Sequence, residues 1–161
     1  MPVKRRKYQA LISVVFILLI LTLDQYLKKI VQLRLSVGET IPIIENILHI
    51  TFVTNTGAAF GLFKNGTLLF IIISLAAILF TLILIVMSIR KREFLSKPIF
   101  NFGLILITSG ALGNLIDRLK FGYVIDFIDV RIWPVFNIAD SSITIGTFLL
   151  ILSSIFVHKY K

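Results

Sequence analysis

The sequence contains no cysteine, which excludes disulfides, thiolate metal sites, a cysteine nucleophile and a lipid anchor through sulfur. Charge is scarce as well. Only 16% of the 161 residues are charged and 57% are hydrophobic, with a mean hydropathy of +0.96. A water-soluble domain carries about a quarter charged residues, so too little polar surface remains here to cover a globule, and lipid is the expected solvent. Histidine occurs only at His49 and His158, which lack metal-ligand spacing, so no zinc or other metal site is expected. Ser141 and Ser142 have no histidine near them in sequence, which disfavours a serine triad. No internal repeat or low-complexity linker is apparent, and the length suits one bundle, a single domain over residues 1–161.

What the chain does have is long uncharged runs. Leu68–Ile89 is the clearest; at ~1.5 Å per residue it measures roughly 33 Å, enough to cross the hydrocarbon core. Ile99–Ile116 and Ile138–Val157 follow, the latter broken only by Asp140. The first run, Tyr8–Leu23, is shorter, and Tyr26 and Leu27 extend its helix past Asp24. The expected spans are therefore about 8–27, 68–89, 99–116 and 138–157. A cleaved signal peptide is the alternative for the first run, but Leu21-Thr22-Leu23-Asp24 offers no small-residue cleavage pattern.

The formal net charge is +9, and its placement decides what it means. Lys4, Arg5, Arg6 and Lys7 precede the first run; Arg90, Lys91, Arg92 and Lys97 lie between the second and third; Lys159 and Lys161 follow the last. These short basic segments are topology signals rather than a nucleic-acid groove, and they place both termini in the cytoplasm. Nucleic acid is not an expected partner. Residues 24–67 and 117–137 then face outward and carry nearly all the carboxylates. The first of these segments is too long for a simple turn. Its β-branched stretch Ile47–Thr54, punctuated by Gly38 and Pro42, predicts a short strand or small sheet on the membrane surface. The expected fold is an all-α membrane protein with four transmembrane helices and a small extracytoplasmic β element.

Polar groups retained near a bilayer need partners or a task, and nearly all of them cluster at the outer helix ends. Asp24 and Lys28 stand at i and i+4 with the acid N-terminal, the favourable ion-pair order; snorkelling of Lys28 and Lys29 to the interface is the alternative. Asn55-Thr56-Gly57-Ala58-Ala59-Phe60-Gly61 closes the expected strand, as an ordinary Asn/Gly turn or as a polar contributor to a site. Gly110, Asn114, Asp117 and Arg118 share one helical face. They read either as an inward polar face or as a packing stripe, eased by Gly113 and ending in an Asp117–Arg118 ion pair.

Asp126 sits in an apolar stretch expected to dip back toward the bundle, and Asp140 lies in the first turn of the last helix, where Asn137 can cap it. Two neighbouring aspartates cannot easily both ionise, so they share a proton. That state suits an aspartic peptidase, with one carboxyl accepting a proton from water and the other donating. Asp129, followed by Arg131 as a possible ion partner, is a rival to Asp126 that spacing alone does not remove.

These five ordered motifs resemble lipoprotein signal peptidase, the signal peptidase II family of bacterial membrane aspartic peptidases. They are Asp24…Lys28, Asn55 to Gly61, Gly110…Gly113-Asn114…Asp117-Arg118, Val124-Ile125-Asp126-Phe127 and Phe136-Asn137-Ile138-Ala139-Asp140, and with the four spans they cover nearly the whole chain. The resemblance implies that Asp126 and Asp140 form the catalytic pair. It implies that Asn55, Gly57, Asn114, Arg118 and Asn137 line or support the site, and that Asp24 and Lys28 form a structural or site-edge pair. It further implies an enzyme of the bacterial cytoplasmic membrane, with its active site at the outer face, that removes signal peptides from prolipoproteins. The cut falls before a diacylglyceryl-modified cysteine. No cofactor is implied, membrane lipid surrounds the protein, and a monomer is expected. The family also implies a small surface sheet and a mobile segment over the site. The stretch between Asp126 and Asp140 is shorter than in many members, which implies a reduced outer flap.

Two other function classes fit parts of this pattern. A small transporter or proton channel would carry polar groups through the full depth of the bundle, whereas the inner halves of these spans are almost wholly apolar. A non-enzymatic membrane scaffold would use the polar cluster for assembly alone, and would be indifferent to Asp126→Asn.

Overall fold

A computed structural model describes residues 2–57 and 66–158; Ala58, Ala59, Phe60 and Gly61 of the second motif lie outside the described residues. Seven elements follow in chain order: α1 (Pro2–Arg34), β1 (Thr40–Ile44), β2 (Leu48–Asn55), α2 (Thr67–Arg90), α3 (Pro98–Phe121), β3 (Val124–Asp129) and α4 (Ile138–His158). Four helices among the described residues are long and apolar enough to cross a membrane, and with the small sheet they form the expected fold class. The outward faces of α1, α2 and α4 remain apolar and exposed, including Leu19, Phe80 and Phe148. Apolar faces of this kind on long helices are suited to a bilayer.

The third helix is the axis of the bundle. Two thirds of its apolar window is buried inside the protein, against 17% for each of the other three helices. Small residues permit this burial: a Cβ on Gly103 would lie 2.9 Å from the carbonyl oxygen of Gly146, and one on Gly146 would lie 2.7 Å from that of Gly103. The backbones of α3 and α4 thus nearly touch at this crossing, where helices in lipid gain their dispersion energy.

Two helices run past the limits that charge had suggested. Instead of stopping near residue 27, α1 continues to Arg34, and α3 continues past Ile116 to Phe121. Asp24, Lys28 and Asp117 at those points are buried and paired with one another across α1 and α3, so they do not end the helices. At the opposite end of the bundle, the Arg6 side chain donates to the Arg90 carbonyl at 3.0 Å. The start of α1 and the end of α2 therefore lie together, far from the sheet.

The sheet has the order β1-β2-β3, all antiparallel. Its third strand carries the Asp126 stretch, which turns back toward the bundle as expected and adds a strand that the sequence did not predict. It pairs with β2, with Val53 opposite Asp126 and Asn55 opposite Val124. Val31 and Leu35 from α1 pack with Phe52, Ile125 and Phe127 beneath the sheet, which fixes the strands on the helix ends. After β3 the chain turns back tightly. Phe127 and Ile128 both donate backbone N–H groups to the Phe136 carbonyl, at 3.0 and 2.7 Å. That return carries Asn137 and the start of α4 alongside Asp126.

Candidate active site

The start of α4 is a reciprocal cap. The Asp140 N–H donates to Asn137 Oδ1 at 2.8 Å, and the Asn137 N–H donates to Asp140 Oδ2 at 3.3 Å. Two of the open donors at the helix N-terminus are satisfied in this way, and Asp140 is aimed by its own backbone. The Asn137 side chain then reaches the other carboxyl, donating to Asp126 Oδ1 at 2.7 Å. One residue thus bridges the two aspartates, through its backbone N–H on one side and its amide on the other. Asn114 of α3 donates to Asp140 Oδ1 at 2.7 Å, and Asn55 at the end of β2 donates to Asp126 Oδ2 at 3.0 Å. The Asn55 oxygen accepts the Gly57 N–H at 2.9 Å, which locks the amide's direction. Asn55 is therefore more than a turn residue.

Asp126 is almost fully buried. Burial, followed by the charge of Asp140, pushes its carboxyl up to about 7, against the donors Asn55 and Asn137 and the charge of Lys28. Four amide donors, and no cation, touch the pair among the described residues. The rival Asp129 is occupied elsewhere. It accepts hydrogen bonds from Thr51 Oγ1 at 2.8 Å and from the Arg131 backbone and guanidinium at 2.8 and 3.1 Å. Although burial opposes it, those donors and the Arg131 charge hold this carboxyl below its ordinary range.

A second polar cluster lies beside the first. Lys28 is 1% exposed, so it does not snorkel; only Lys29 beside it reaches the surface. Its ammonium lies 2.8 Å from both Asp24 Oδ2 and Asp117 Oδ2, and donates to Asn114 Oδ1 at 3.1 Å. All three ammonium protons therefore have acceptors. Asp24 also accepts the Ala139 N–H from the first turn of α4 at 3.0 Å, and Asp117 accepts the Ile125 N–H of β3 at 3.1 Å. A Cβ on Gly113 would stand 2.6 Å from Asp24 Oδ2, so only glycine lets α1 come this close to α3.

The α3 stripe read from the sequence splits by direction. Asp117 faces Lys28 instead of pairing with Arg118. Arg118 lies with its guanidinium carbon 5.0 Å from the centroid of the Phe70 ring in α2, its Nε buried without a hydrogen-bond partner. Asp117 follows the inward-polar-face reading of the stripe, with Lys28 as a partner that the sequence did not name. One contributor, Gln25, is not singled out by the sequence. Gln25, one residue past Asp24, donates to Asp117 Oδ1 at 2.9 Å and to the Gly113 carbonyl at 3.2 Å. Its position within one helical turn of Asp24 and Lys28 was the available signal. No cluster of three or more histidine or carboxylate ligands arranged to hold a metal occurs among the described residues.

The fold and this arrangement define a multi-pass membrane protein with a buried, amide-bridged aspartate pair at one end of its bundle. Comparison with known proteins narrows that class. The model of the family described as Signal peptidase (SPase) II matches residues 16–156, and the chain belongs to this family of proteases. The lipoprotein signal peptidase of Halothermothrix orenii is 47% identical over 138 residues, covering 86% of this chain and 91% of that relative. That of Clostridioides difficile is 44% identical over 151 residues, covering 92% and 98%. A solved bacterial membrane enzyme, determined by the in meso method, superposes with a TM-score of 0.83 at 31% identity, covering 92% of this chain and 91% of the other.

Proposed function

We propose that this chain is an aspartic endopeptidase of the bacterial cytoplasmic membrane, acting as one integral membrane domain to remove signal peptides from prolipoproteins. The cut falls immediately before the diacylglyceryl-modified cysteine, with Asp126 and Asp140 as the catalytic pair. The observation that carries this reading is the double grip of Asn137, which donates to both carboxyls.

The chemistry follows from a pair that shares one proton. One carboxyl takes a proton from a water molecule as its oxygen attacks the peptide carbonyl carbon, and the other gives its proton to the carbonyl oxygen. Collapse of the tetrahedral intermediate breaks the C–N bond, and a proton returned from the pair leaves with the amine. Asn55, Asn114 and Asn137 hold the carboxyls in place while their charges exchange. Arg118 and Gly57 border the pair, and Asp24 and Lys28 brace the helices that carry it. No step calls for a cofactor. In this reading the enzyme acts as a monomer.

The basic segments beside Arg6 and Arg90 mark the cytoplasmic end, and the aspartates lie at the opposite, outer end. A lipid-modified substrate diffusing in the membrane plane meets them at the acyl–headgroup boundary. The test is processing of a synthetic lipidated prolipoprotein by the purified protein in detergent. Asp126→Asn and Asp140→Asn each abolish cleavage while the protein still folds; substantial turnover by either variant ends the proposal. Chelators leave the rate unchanged, and inhibition that added zinc reverses would assign the enzyme to another class.

A further inference from the structure

Between α1 and α3, beside Lys28, lies a cleft of about 530 Å3. This volume falls within the range of small-ligand sites. Gln25, Lys28, Lys29 and Gln32 form its wall on α1, recurring at helical spacing, and Asp117 and Lys120 face them from α3. The buried ions in that wall are already spent. Lys28 has its three acceptors, and Asp117 is held by Lys28, Gln25 and the Ile125 N–H. Lys29 and Lys120 are different: both are exposed, and neither pairs with a carboxylate among the described residues. Leu33 and Phe121, 69% and 42% exposed, make the mouth of the cleft apolar.

We propose that this cleft binds the phosphate of an anionic bilayer phospholipid. Its two open cations stand at the bundle end where headgroups begin, above apolar surface that suits acyl chains. The buried cluster of Asp24, Asp117 and Lys28 retains one negative charge, but Asp24 sits on the N-terminus of α4, which offsets part of it. Lys29 and Lys120 outnumber what remains. The lipid of the proposed peptidase substrate is a diacylglyceryl group without phosphate, so the occupant is a lipid of the bilayer and not the substrate.

The test titrates short-chain phosphatidylglycerol into the purified full-length protein in neutral detergent, and follows thermal stability. Each lysine near an anionic group contributes enough that losing two weakens apparent affinity about thirtyfold. We expect phosphatidylglycerol to stabilise the wild type, Lys29→Gln/Lys120→Gln to show that weakening, and Lys29→Arg/Lys120→Arg to retain the response. Equal responses of the wild type and the glutamine variant overturn the proposal. So does an equal response to short-chain phosphatidylcholine, or an equal shift with inorganic phosphate, which would make the ligand a free anion. Asp126→Asn keeps the lipid response whether or not the peptidase reading holds, so the two failures remain distinguishable.

Discussion

Two pairs of aspartates share one end of the bundle and differ in what surrounds them. Asp24 and Asp117 close on a buried lysine, and backbone N–H groups and Gln25 take up their remaining lone pairs. Among the described residues, Asp126 and Asp140 have no cation in hydrogen-bond contact, only neutral amides. The first pair holds a cation between its two carboxylates, which offsets one of the two negative charges. The second is matched to geometry and left short of charge, so a proton is the cheapest way to neutralise it. Both pairs contain buried carboxylates; their partners differ, a cation for the first and neutral amides for the second.

Substitutions that blur this distinction test it, and the largest effect falls on the second pair. Asp126→Asn keeps the shape and the amide contacts but removes the exchangeable proton, so turnover drops by at least ~1,000-fold with the melting temperature preserved or raised. Lys28→Met does the opposite. It strands two buried carboxylates and should cost about 3–5 kcal/mol of stability, measured by thermal or denaturant unfolding in detergent. If Lys28→Met were as stable as the wild type, the bracing role of the first pair would fail.

Asn114 touches both pairs, accepting from Lys28 and donating to Asp140. Asn114→Ala should therefore move both readouts, with turnover reduced by ~10–100-fold from the loss of a hydrogen bond to a charged group and a smaller fall in stability. An effect on one readout alone would separate the clusters completely.

The smallest effect is on pH dependence. Folding raises the Asp126 carboxyl from its ordinary value to about 7, so its proton is held more tightly in the fold than in the unfolded chain. The stability linked to it is complete below the unfolded value and drains away as pH rises through about 7. Asp126→Asn lacks this loss, so its stability advantage over the wild type widens between pH ~4 and ~7. Cleavage by the wild type should decline over the alkaline limb of the same region, as an apparent constant of the pair. A flat stability difference would remove the protonated Asp126 from the mechanism.

Much of this was legible without coordinates. Four apolar runs, the basic segments beside them and the crowding of polar residues at one depth follow from hydropathy and charge, because lipid tolerates few exceptions. The Asn137 cap and the Asp24–Lys28 ion pair are local, set by spacings of three and four residues, and both formed. Other features were less accessible. The bridge from Asn137 to Asp126 requires the strand pairing of β3 with β2, which no short window of sequence encodes.

The linear order of residues thus determined a membrane protein with an acid-rich end, and supplied every side chain of the candidate site. Tertiary structure decided how those side chains were shared out. Helix packing sent Asp117 to Lys28 and Arg118 to Phe70, although the two are adjacent in the chain. The sheet and the short return after it brought Asp126 within reach of Asn137 while tying Asp129 to Thr51 and Arg131. Successive residues on a helix or strand point in different directions, and their partners lie on elements up to 115 positions away. Only the completed packing selects among them.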